Sequence, residues 1–91
     1  MKRIGELRGE GQLVLKDREV SVSYRVQVWQ GQTFKKADGE IEADIGDLFD
    51  AFSQGQSTLR LANGEEISVI VDSAGHAGVG GIKVSGPVPG F

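Results

Sequence analysis

The sequence predicts an α+β domain that is mostly β. About six antiparallel strands form a strongly curled or barrel-like sheet, and one helix over about 45–54 packs on it or plugs it. Three observations carry this. Apolar and polar residues alternate with a period of two through most of the chain. One stretch alone, Asp44 to Gly55, changes to helical spacing. Glycine occurs 14 times, and several glycines fall inside strand patterns, where they mark bends or close approach of another backbone. A flat two-layer arrangement is the alternative, but a glycine-bent first strand favours curling. The 91 residues make one domain, 1–91, with 86–91 as an extended Pro/Gly tail.

The first strand pattern places Gly5, Leu7, Gly9, Gly11, Leu13 and Leu15 on one side and charged residues on the other. The missing side chains would leave room for bulky ones such as Phe49 or Phe52. Lys16 to Glu19 reads as a tight turn. From Val20 the alternation is the cleanest in the chain. Val20, Val22, Tyr24, Val26 and Val28 face one way, and Ser21, Ser23, Arg25, Gln27 and Trp29 face the other. Trp29 is thus out of phase with the core. After a turn at 30–32, a strand over 33–44 changes phase across Gly39, as a β-bulge would.

In the helix, Ile45, Leu48, Phe49 and Phe52 fall at i, i+3, i+4 and i+7. Asp44 suits the N-cap, and Gly55 suits the position after the last turn. Read as the core-facing stripe, this face makes Phe52→Ala cost on the order of 3–5 kcal/mol. Leu59 and Leu61 mark a strand, and Asn63-Gly64 is a strong hairpin signal. The partner strand carries Ile67, Val69 and Val71 inward, with Ile70 suggesting cover on the other face too. Residues 73–81 read as a glycine-rich loop before a last strand at 82–85.

Composition excludes more functions than it suggests. There is no cysteine, hence no disulfide, thiolate metal site or Cys nucleophile. No apolar run reaches signal-peptide or membrane length, so a cytoplasmic location without membrane contact is expected. The net charge of −3 is uneven: residues 1–36 hold eight Lys/Arg against four acids, and residues 37–91 hold two against nine. Pairing across the sheet explains such an asymmetry, and so does a surface kept for a partner.

Candidate chemistry is thin. The lone histidine, His76, has Asp72 as its nearest acid, and an enzyme centred on that pair is a weak reading. The run Gly75 to Gly81 lacks the following helix and Lys-Ser/Thr that phosphate loops need. The acids Glu40, Glu42, Asp44, Asp47 and Asp50 show no calcium-loop spacing. No metal and no cofactor are expected.

The sequence therefore reads as a noncatalytic domain working through protein–protein contact or self-association. Its alternative is a barrel that binds a small ligand or single-stranded nucleic acid through Arg25, Gln27 and Trp29, although the negative net charge disfavours nucleic acid. Phe91, ending the Pro-Val-Pro-Gly-Phe tail, is the fourth candidate contact residue, suited to docking on the barrel or on a neighbour.

Overall fold

A computed structural model describes residues 2–75 and 78–90 of the chain. Six strands run in the order β1 (Lys2–Val14), β2 (Glu19–Gln30), β3 (Lys35–Glu42), β4 (Gln56–Arg60), β5 (Glu66–Ala74) and β6 (Val79–Val84). The single helix, α1 (Ile45–Gln54), lies between β3 and β4. The strands close into a barrel in the spatial order β1-β2-β3-β6-β5-β4, every neighbouring pair antiparallel.

Two three-stranded meanders, β1–β2–β3 and β4–β5–β6, account for this order. Each would expose two unpaired edges if it stood alone. Here β3 pairs with β6, and β4 closes onto the end of β1 through Gln12↔Arg60, Leu13↔Leu59 and Val14↔Thr58. Closure brings β4 so near β1 that a Cβ on Gly11 would collide with the backbone carbonyl of Arg60. The glycines of β1 thus admit a neighbouring strand and the ring of Tyr24, whose Oη would sit 3.1 Å from a Cβ on Gly9. They do not make room for Phe49 or Phe52.

The alternation of β2 holds without interruption. Val22, Tyr24, Val26 and Val28 are buried, facing Leu13, Ile41, Leu59, Ile67, Val69, Val71 and Ile82 across the barrel. Tyr24 satisfies its polar end by accepting the Ala62 N–H at 3.1 Å. Two expectations about register need correction. β2 and β3 pair without a shift from Gln30↔Lys35 to Ser23↔Glu42, so no bulge lies at Gly39. Phe34 looked out of phase because it belongs to the turn before β3, where the Gly31 N–H donates to the Phe34 carbonyl at 2.8 Å. The bulges sit instead between Arg3 and Gly5, and between Val71 and Ser73. The glycine-rich stretch is largely strand: β5 runs to Ala74 and β6 begins at Val79.

The helix caps one mouth of the barrel, the end where β3 finishes and β4 starts, and packs chiefly on β5. Asp44 caps it by accepting the Gly46 N–H at 2.9 Å, and the Gly55 N–H closes the last turn on the Ala51 carbonyl at 3.2 Å. At the opposite mouth, where β1 and β3 begin, the tail folds back and Val88 packs against the core.

Candidate functional site

The helix does not present the expected face to the barrel. With 3.6 residues per turn, Ala51, Leu48, Phe52, Ile45 and Phe49 follow one another around an arc of about 160°. Leu48 and Ala51, at one edge of that arc, are fully buried. Ile45, Phe49 and Phe52, at the other edge, remain 39, 54 and 50% exposed. Leu48 is admitted by a glycine opposite, since a Cβ on Gly80 would stand 3.0 Å from Leu48 Cδ2. Ile70, expected to be covered, is 40% exposed on the outside of β5. It lies directly across from Gln56, the first residue of β4 after the helix.

Polar contacts accompany this setting of α1. Arg18, in the β1–β2 turn, reaches Asp47 Oδ1 and Asp50 Oδ2, the latter at 2.7 Å, while also pairing with Asp17 at 2.9 Å. Its hydrogen bonds to Asp47 and then Asp50 push the guanidinium pKa still further up, against a smaller opposing effect of desolvation. The Lys16 N–H donates to Gln54 Oε1 at 2.9 Å, and Gln54 Nε2 donates to Ser57 Oγ at 3.3 Å. Both acids of the helix therefore point away from its exposed apolar edge, and each is ion-paired.

The outer row of β2 carries three of the residues singled out from sequence. Arg25 is exposed and Trp29 and Gln27 are half-buried, all three on the outer face as the alternation requires. Arg25 and Trp29 are engaged locally. Arg25 Nε lies 3.5 Å from Glu6 Oε2, a carboxylate that also meets Arg3 and Arg8. The Trp29 indole N–H donates to Asp38 Oδ1 at 3.3 Å, and Arg3 and Lys36 stand directly across from Trp29 on the two neighbouring strands. A shallow groove of about 300 Å³ runs along Arg25, Gln27, Asp38 and Lys83. Asp72 is exposed, with Oδ2 3.8 Å from Lys83 Nζ. His76 and Phe91 lie outside the described residues.

The charge asymmetry is resolved in part by pairing. Arg18 joins the basic and acidic halves through Asp47 and Asp50, and Arg60 joins them through Glu19, with Glu66 on its other side. The hydrogen bond to Glu66, then the charge of Glu19, push the Arg60 pKa up. Among the described residues no group of three or more metal-ligating side chains converges, and no helix is long and apolar enough to cross a membrane. Comparisons with protein-family models, with curated proteins and with solved structures each found no match.

The exposed apolar edge of α1 is the feature that sequence reasoning assigned to the core. The signal that something had to stay outside was the breadth of the arc. With Ala51 included it is wider than the stripe one barrel mouth can cover.

Proposed function

We propose that this chain is a noncatalytic interaction domain that associates with a second copy of itself through the outer edge of α1. The observation that carries the reading is the single helical stripe of Ile45, Phe49 and Phe52, each two-fifths to one-half exposed on a helix capped at both ends. A two-fold contact sets the stripe against its own copy, so a charged stripe would repel itself. This stripe is uncharged, bordered by Gly46 and Ser53, with Asp47 and Asp50 turned away toward Arg18.

Area sets the strength. Half of each phenyl and two-fifths of the isoleucine amount to about 270 Å² of apolar surface per copy, at about 200 Å² for a whole phenylalanine. Two copies bring together about 540 Å², against a standard interface of about 1,600 Å² in total. The association is therefore weak, with Kd above about 10 μM. Sedimentation equilibrium from about 10 μM to about 1 mM tests it. The average mass should rise from the 9.7 kDa of one chain toward twice that value. Phe49→Asp should abolish the rise without unfolding the protein, because the side chain it replaces is already half in water. Wild-type protein that stays monomeric over the whole range rules the reading out.

A further inference from the structure

The opposite mouth of the barrel has a different character, independent of α1. A groove of about 400 Å³ runs there between the start of β3 and the tail, floored by the half-buried Val84 and Val88 over the buried Val28 and Ala37, with Lys35 and Lys36 along its rim. Strand phase sets the two lysines apart, Lys36 on the outer face and Lys35 over the mouth. Ala37 is buried and faces inward, so Lys35, two residues earlier, shares its face and projects over the mouth. Register adds a third cation. Lys2 stands across from Gln30, which stands across from Lys35, so Lys2 and Lys35 flank Gln30 on one inward-phase row. Lys36 Nζ lies 3.7 Å from Asp38 Oδ2, whereas Lys2 and Lys35 have no carboxylate within ion-pair distance among the described residues.

We propose that this mouth binds an amphipathic monoanion, a medium-chain carboxylate, with its head on Lys35 and Lys2 and its tail along Val84 and Val88. A concave, mostly apolar site with a few charged groups at one end is built for a ligand of that polarity. A small hydrated anion would gain nothing from the floor, and an uncharged chain would gain nothing from the lysines. A groove of about 400 Å³ falls in the size range of small-molecule sites and suits an eight-carbon acid.

Isothermal titration of the intact protein with octanoate, 1-octanol and acetate at neutral pH and low salt tests this, and Trp29 fluorescence serves as a second signal because Trp29 adjoins Gln30, which Lys2 and Lys35 flank. Octanoate should bind saturably, one per chain, at least about tenfold more tightly than 1-octanol or acetate. The double variant Lys2→Gln, Lys35→Gln should weaken octanoate at least about fivefold, with an unchanged melting temperature since both side chains are exposed. Three results would each overturn the assignment. They are no saturable binding up to about 5 mM octanoate, 1-octanol binding as well as octanoate, and a double variant that binds like wild type.

Discussion

Leu48 and Phe52 sit on the same helix, are both large and apolar, and would count alike in a sequence-based core. The structure separates them. Leu48 has no exposed surface and fits against Gly80 in the capped mouth, so Leu48→Ala leaves a cavity that a closed barrel cannot collapse. Its cost should fall at about 3–4 kcal/mol, within the range for buried leucines. Phe52 is 50% exposed. Truncating it gives up about 100 Å² of burial, about 2.5 kcal/mol at about 25 cal/mol per Å² as an upper figure. No closed cavity forms, and alanine returns about 0.5 kcal/mol of helix propensity. Phe52→Ala should therefore cost about 1–2 kcal/mol rather than the 3–5 expected of a buried phenylalanine. A domain of this length has about 5–14 kcal/mol in all, so the two variants are well resolved. Urea unfolding followed by Trp29 fluorescence and far-UV circular dichroism, at about 5 μM protein to keep association out of the balance, measures both. Phe52→Ala costing as much as Leu48→Ala, at unchanged denaturant slope, would refute the helix setting.

Three further perturbations probe other joints. Gly80→Val should destabilise by about 1–3 kcal/mol in the same urea assay, because its Cβ alone would meet Leu48 Cδ2 and the Ser73 carbonyl at 3.0 Å. A neutral result would place Leu48 elsewhere. Tyr24→Phe removes the acceptor for the Ala62 N–H and should cost about 0.5–1.5 kcal/mol, with faster amide exchange at Ala62 as its local signature. Arg18→Met should accelerate amide exchange across 45–54 relative to β2. Because the folded pKa of Arg18 is raised, its contribution is complete below the ordinary arginine value and is lost only as pH climbs through the folded one. Deprotonation of Arg18 will not release the helix between about pH 8 and pH 11. Equal exchange in Arg18→Met and wild type would show that the ion pairs do not anchor α1.

Much of the fold was legible because strand phase is a local property. β2 declares its two faces within ten residues, and the order of turns around Asp17, Gly31 and Asn63 follows from short-range chemistry. The helix, its cap at Asp44 and the curl of the sheet were legible for the same reason. What failed depended on partners far along the chain. The glycines of β1 correctly signalled close approach, but the approaching groups, Tyr24 and the Arg60 carbonyl, are distant in sequence from Gly9 and Gly11. The apparent phase change near Gly39 came from taking a turn residue, Phe34, as part of the strand. The rotation of α1 is fixed by what lies beneath it, and nothing within 45–54 distinguishes the edge that goes in from the edge that stays out. The opposite mouth was hidden likewise, since Lys2 and Lys35 are brought together only by the pairing of β1 and β3 with β2, and Val88 reaches that end from the tail.

Two explanations could account for the phenyl groups left in solvent, and their magnitudes differ. If the ion pairs of Arg18 alone kept the helix from turning inward, they would oppose the burial of about 200 Å² more of phenyl surface, about 5 kcal/mol at about 25 cal/mol per Å². Pairs this exposed contribute about 0–1 kcal/mol each, so they cannot hold that balance. Space can. A six-stranded barrel encloses only its own inward side chains, and here Leu13, Ile41, Leu59, Ile82 and the valines occupy it. The residues α1 sends in are one leucine, met by a glycine, and one alanine, the smallest side chain of the arc. The mouth is full, so turning Phe49 and Phe52 inward would displace Leu48 rather than add to it. Arg18 then selects among the settings that packing allows, and the outer edge is surplus to the fold. The exposed halves of Phe49 and Phe52 contribute nothing to the fold, which is why that edge, rather than the row of Arg25, Gln27 and Trp29, is the surface on which the proposed association rests.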